Sequence, residues 1–193
     1  MKNIYIIPVT YQNHPHQRKL RRLLFELFLS PQPEKIVSTI VSFLLDYSLP
    51  LDDFPRIEGT YSRTIVHRND NGFEAMAARW SKGAISSIHG HPPFIFYYVI
   101  DGRLKIDNYR RNGAGLTLDS SVFLGKNEHF FSLGKPGKYD NNIHQVQANE
   151  ETLSLHISSD DSTKGEVYSR SIYQTRRLSE NAFSDSLLDD WRK

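Results

Sequence analysis

GAISSIHGHPPFIFYYVIDG, residues Gly83 to Gly102, sets two histidines, His89 and His91, one residue apart. Side chains alternate along a strand, so His-x-His on a strand places both imidazoles on one face. Five residues lie between Gly83 and His89, three between His91 and Ile95, and six between Ile95 and Gly102. Ile95, Tyr97 and Val99 share a parity, so Tyr97 faces inward if Ile95 does. The aromatic run Phe94, Phe96, Tyr97 and Tyr98 reads mostly as core or wall packing.

Around this stretch, from Tyr61 onward, short β-prone segments alternate with turns. The predicted strands are Tyr61–His67, Phe73–Trp80, Phe94–Ile100, Leu104–Tyr109, Ile143–Gln147 and Thr152–Ser158. Asn69-Asp70-Asn71-Gly72 and Asp101-Gly102 are hairpin turn signals. Many short strands at close spacing predict a mainly β fold, an antiparallel sheet closed into a barrel or sandwich. Closure makes inward side chains converge on one cavity. Gly134–Asn142 is predicted as a surface loop, and Ser171–Arg176 as a possible further strand.

Upstream, Leu20, Leu23, Leu24, Leu27 and Phe28 recur at helical spacing, opposite Arg18, Lys19, Arg21, Arg22 and Glu26. Pro31 and Pro33 interrupt the pattern. A second helix is predicted from about Glu34 to Tyr47, striped by Ile36, Ile40, Phe43 and Leu44. The few basic residues, broken by Glu26, read as the solvated face of a packed helix rather than a membrane or nucleic-acid patch. The expected organisation is a single domain over residues 1–193. A helical layer (about 15–47) lies on a β-barrel (about 58–176).

Bulk composition narrows the classes. The chain has 193 residues, 38% hydrophobic and 12% aromatic, an ordinary globular balance. A net charge of +2 gives no argument for nucleic acid. With no cysteine there is no disulfide framework, thiol nucleophile or zinc ribbon. The apolar start MKNIYIIPVT is too short for a secretory signal, and no segment is apolar enough to span a bilayer. The expectation is a cytoplasmic protein, monomeric or weakly homo-oligomeric.

Taken alone, His-x-His is also what two hydrogen-bonded histidines on a sheet surface would show. With its flanking glycines, however, the stretch resembles the first motif of the cupins: Gly, two metal-binding histidines, a carboxylate, then Gly. Ile95 stands at the carboxylate position and cannot bind a metal. In lacking that ligand the motif is similar to the cysteine dioxygenase type I family, the thiol dioxygenases. YSRTIV (Tyr61–Val66) resembles that family's carboxylate-binding strand, and IHQVQANEETLSLH (Ile143–His156) the segment bearing its third histidine. The likeness runs from Tyr61 to Ser158 and implies a jelly-roll-like cupin barrel. His89, His91 and His144 would ligate Fe(2+), with no organic cofactor. Three neutral imidazoles leave half of an octahedral shell open for substrate and O2. The donor set favours iron without excluding nickel, copper, manganese or zinc.

The substrate end is expected at Arg63 and Tyr61, two apart on one strand and so on one face. A guanidinium fork matches a carboxylate bidentately, a reading favoured over that of a surface arginine on an edge strand. His156 stands where the family carries a histidine close to the ligands. Ser158 stands where it carries a tyrosine, and Tyr97 is a candidate to supply the missing phenol from the opposite wall. His14 and His16 are expected before the first helix and exposed; His67 and His129 lack spacing partners. The resemblance implies oxidation of a small carboxylate-bearing thiol, cysteine or 3-mercaptopropionate-like, to its sulfinic acid. An iron oxygenase acting on a non-thiol amino acid or other small acid is the alternative, and a non-catalytic metal- or ligand-binding cupin the third reading.

Overall fold

In the computed structural model, residues 5–7, 15–113 and 115–168 are described. Two helices precede two facing β-sheets. Helix α1 (Pro15–Leu29) and helix α2 (Pro33–Asp46) fall where the apolar stripes place them. Pro33 opens α2, where its missing N–H costs no helical hydrogen bond.

Ten strands follow a short β1 (Tyr5–Ile7): β2 (Tyr61–Arg68), β3 (Glu74–Trp80), β4 (Ile88–His91), β5 (Phe94–Asp101), β6 (Leu104–Asn112), β7 (Gly115–Leu124), β8 (His129–Leu133), β9 (Asn141–Ala148), β10 (Thr152–Ser158) and β11 (Val167–Tyr168). One sheet runs β1-β2-β3-β10-β5-β8 and the other β11-β4-β9-β6-β7. From β3 onward the chain crosses between sheets at every step except the β6–β7 hairpin, and the fold is the mainly β, jelly-roll-like double sheet that the sequence implied. One pairing departs from an all-antiparallel sheet: β1 runs parallel to β2 at the edge. The segment Ser171–Arg176 lies outside the described residues.

The first sheet is covered on both faces, which explains why FIFYYVI shows no polar alternation. Its even-numbered residues Phe94, Phe96 and Tyr98 pack with Leu20, Leu24, Phe28, Ile36 and Ile40 of the helices. Ile95, Tyr97 and Val99 face the second sheet, packing with Ile106 and Val146. Parity therefore sends the odd-numbered residues of β5 to the barrel interior. The Asp101–Gly102 turn needs glycine twice over. Gly102 has φ +84°, and a Cβ there would lie 2.4 Å from the Glu151 carbonyl oxygen.

Candidate metal centre

Register brings the histidines together. Strand β4 pairs antiparallel with β9, and His89 stands opposite His144. The residue separation of two along β4 puts His91 on the same face. One donor nitrogen from each of His89, His91 and His144 lies within 4.8 Å of the others. The Nε2 atoms of His91 and His144 are 3.2 Å apart. Two imidazoles on one ion at about 2.0–2.1 Å would separate their nitrogens by about 2.9 Å at a right angle and about 3.3 Å at a tetrahedral one. The observed distance falls inside that interval.

The protonation states also suit a cation. Burial lowers the pKa of His89 to about 4, helped by Arg63 and opposed by its bond to the Ser87 backbone. Burial and the neighbouring rings hold His91 and His144 well below their ordinary range. All three are neutral at physiological pH, so a lone pair is available on each. His89 Nδ1 donates to the Ser87 carbonyl oxygen at 2.9 Å, which leaves Nε2 as the free donor atom. His144 Nδ1 is buried without a hydrogen bond of ordinary geometry, although the Asn142 backbone is close enough to support its charge. The residues fit a divalent metal ion.

The other interior strands supply the walls. Arg63 and Tyr61 do share a face of β2, opposite Ala78 and Trp80 of β3. Tyr61 stacks on Trp80 with ring centroids 4.1 Å apart. His156 of β10 lies beside Met76 of β3 and Tyr97 of β5 in one row across the sheet. Its Nε2 is 2.7 Å from Ser154 Oγ, which also accepts from the Trp80 indole at 2.9 Å. Burial, with Arg63, lowers the His156 pKa to about 3. Tyr97 Oη reaches the Nε2 atoms of His91 at 3.0 Å and His144 at 3.3 Å. Burial pushes that phenol well above its usual pKa.

One cavity of about 40 Å³ is lined by Tyr61, Arg63, Trp80, His156, Ser162, the three clustered histidines and others. Arg63 is 9% exposed. Its guanidinium donates from Nε to Met76 Sδ and from a terminal nitrogen to Ser162 Oγ. Among the described residues it forms no ion pair, whereas neighbouring Arg68 pairs with Glu74 and Asp161. Ser162 Oγ donates onward to Glu74 Oε1 at 2.6 Å. The sequence did not single out Trp80 and Ser162, which line the cavity, or Ser154 and Glu74, which hydrogen-bond to residues that line it. Strand register and a distant turn bring them there, not local spacing.

Some expectations land elsewhere. Ser158 is buried, donates to the Asp160 carbonyl oxygen at 2.6 Å and does not line the cavity. His16 lies within the first turn of α1, not ahead of it, and its Nδ1 contacts the Ser48 carbonyl oxygen at 2.9 Å. The residue is partly buried against Tyr47 because α1 begins earlier than the leucine pattern suggests. His67 packs against Phe25 and Phe28 of α1, and His129 is exposed. His14 lies outside the described residues.

No protein-family model matches the sequence, and no curated protein matches it. Among solved structures, this chain is similar to a cupin superfamily protein from Desulfitobacterium hafniense at 13% identity and a TM-score of 0.46, covering 60% of this chain and 97% of that one. A double-stranded β-helix protein from Klebsiella pneumoniae matches at 16% identity and a TM-score of 0.45, covering 62% and 88%. A hydroquinone 1,2-dioxygenase in complex with Cd2+ and 4-hydroxybenzonitrile matches at 15% identity and 0.36, covering 49% and 61%. No helix of the described residues is long and apolar enough to cross a membrane.

Proposed function

We propose that the protein is a mononuclear non-haem Fe(2+) dioxygenase of the thiol dioxygenase type. Its substrate would be a small carboxylate-bearing thiol, oxidised by O2 to the sulfinic acid with both oxygen atoms ending on sulfur. The observation that carries this reading is the placement of Arg63, an interior cation that makes no direct ion pair among the described residues and reaches Glu74 only through Ser162, in the same cavity as three neutral histidines. An interior charge left unpaired is costly, so a frame that retains one is suited to an incoming anion.

His89, His91 and His144 would hold the metal. When bound, ferrous iron would hold the substrate thiolate, provide a site for dioxygen and supply the electron that starts oxygen activation. The chain's own groups do the rest. Arg63 offers guanidinium N–H groups to the substrate carboxylate. Tyr61, whose phenol burial keeps protonated, can donate a further hydrogen bond from the same strand. The Tyr61–Trp80 stack and Met76 exclude water from one wall. His156, held by Ser154, stands neutral beside Tyr97 and packs edge-on against its ring. A cavity of about 40 Å³ limits the substrate to a few heavy atoms, since drug-sized ligands need about 300 Å³ or more.

The test is anaerobic reconstitution with Fe(2+), followed by oxygen uptake with 3-mercaptopropionate, cysteine and thiol-free acids of the same size. Mass spectrometry should find two added oxygen atoms on a thiol substrate. Uptake confined to thiol-free acids would replace the thiol reading with the oxygenase of a non-thiol acid. Stoichiometric iron with no uptake on any acid would leave a binding protein.

A further inference from the structure

We infer that Tyr97 is a fourth protein ligand of the metal, its Oη completing with His91 Nε2 and His144 Nε2 one triangular face of the coordination shell. The inference rests on the three-histidine metal reading and extends it to a residue that no metal-binding motif marks.

The geometry is the argument. The three atoms form a nearly equilateral triangle, with edges of 3.0 Å (Tyr97 to His91), 3.2 Å (His91 to His144) and 3.3 Å (Tyr97 to His144). A point equidistant from all three corners lies about 1.8 Å from each in the plane. An ion with bonds of about 2.0–2.1 Å would then sit about 1 Å to one side, as metal–nitrogen and metal–oxygen distances require. Hydrogen bonding alone accounts for the triangle less well. A phenol has one proton and can donate to only one nitrogen. The second Tyr97 contact and the nitrogen–nitrogen edge would then need protons on Nε2, the very atoms whose lone pairs face the centre.

The surroundings hold Tyr97 where it is. It stands on β5 between His156 and Phe130 in the sheet. Its ring is edge-on to His156 at 4.7 Å and stacked on Phe130 at 6.3 Å. The residue is 3% exposed, so its hydroxyl has no alternative partner in solvent. Binding would exchange the Tyr97 O–H bond for an oxygen–metal bond, the proton being released as the ion enters. Ile95, on the same face two residues earlier, stands where a cupin carboxylate ligand would be expected. Tyr97 would restore from the same strand the single anionic donor that Ile95 cannot give.

One consequence concerns the substrate. Four protein ligands leave two positions of a six-coordinate shell, enough for one substrate atom and dioxygen but not for a chelating thiol and amine together. The cavity lining also offers no carboxylate for a substrate ammonium group. Both point to an acid bearing a single donor atom, 3-mercaptopropionate-like rather than cysteine-like.

The test loads the full-length protein with one equivalent of iron, oxidises it to the ferric form, and records visible absorption and resonance Raman spectra. The expected result is a phenolate-to-iron charge-transfer band with tyrosinate vibrations on excitation into it. Both should be lost in Tyr97→Phe while iron stays bound. A wild-type ferric protein with one iron but neither signal overturns the inference and leaves the three-histidine site standing. So does a band that survives in Tyr97→Phe. Wild-type protein that binds no metal overturns the metal reading itself and this inference with it. If Tyr97→Phe folds poorly, Tyr61→Phe decides the matter: both signals must persist there, and their loss overturns the inference.

Discussion

Replacing Arg63 with methionine should stabilise the fold while weakening anion binding. The side chain is 9% exposed and uses its five N–H donors sparingly, with Met76 Sδ and Ser162 Oγ as its hydrogen-bond acceptors. A buried donor without a partner costs about 1–3 kcal/mol, and replacing a buried charge by an apolar side chain of similar volume is often neutral or favourable. Arg63→Met leaves no new orphan, because Ser162 still donates to Glu74. A gain of about 1–2 kcal/mol follows, a rise of about 2–8 °C in Tm for a chain of this size. The substrate side goes the other way. Losing charge-assisted hydrogen bonds worth about 2 kcal/mol or more weakens carboxylate binding about 30-fold. The assay is thermal denaturation of iron-loaded protein, anaerobically, with and without 3-mercaptopropionate. A ligand at a hundred times its Kd adds about 2.7 kcal/mol to the wild type, and the variant should show little of that shift. If Arg63→Met instead melts several degrees below wild type, the guanidinium is part of the frame. If it melts higher but keeps the full ligand shift, the anion is held elsewhere.

Other outcomes can be checked with the same protein. His144→Ala should reduce bound iron from one per chain to near zero, measured by elemental analysis; retained stoichiometric iron would refute the three-histidine site. Stability of the metal-free protein should be greatest above pH 6.5 and decline with acid, because the unfolded chain takes up protons near pH 6.5 while folded His89 and His156 resist until about 4 and 3. For His156 the slope reaches about 1.4 kcal/mol per pH unit, and urea melts unchanged between pH 7.5 and 5 would contradict the burial argument. Glu74→Ala removes a carboxylate that is 1% exposed and that accepts from both Arg68 and Ser162. A loss of about 3 kcal/mol is expected by denaturant unfolding; less than 1 kcal/mol would mean solvent already serves those donors.

The β-rich architecture and the helical layer were legible because each rests on a local pattern. The leucine stripe marked α1, and Thr152–Ser158 was bounded correctly by turn residues on either side. Strand β7 escaped notice because its middle, Asp119-Ser120-Ser121, is polar and exposed. Strand β8 was missed for a related reason: HFFSL is short and pairs through one edge with β5. Both gained their strand character from neighbours in the sheet. At the site, parity along β4, β2 and β5 was enough to group His89 with His91, Tyr61 with Arg63, and Ile95 with Tyr97. The contacts of Ser154 and Glu74 were not, because a hydrogen bond across register depends on which strands become neighbours. Nor could parity show that Tyr97 touches both His91 and His144, since those contacts span the two sheets.

The glycine between the two histidines has a structural cause that also links the two ends of the cavity. Alternation turns Gly90 away from the imidazoles, toward the chain that crosses behind β4. A Cβ there would lie 2.6 Å from Asp140 Cα, so only glycine lets the 139–140 segment approach. The same residue's N–H donates to the Glu166 carbonyl oxygen at 2.8 Å, and Gly165 is pressed against the Gly90 carbonyl. Residues 165–168 are thus pinned to the metal-binding strand, with Val167 paired opposite His89. Three residues before Gly165, Ser162 bridges Arg63 and Glu74 on the other sheet. One short run of chain therefore sets the position of β4 and closes the cavity at Arg63. A side chain at position 90 would shift His89 and His91 without touching any ligand, and would displace Ser162 from the guanidinium by the same movement.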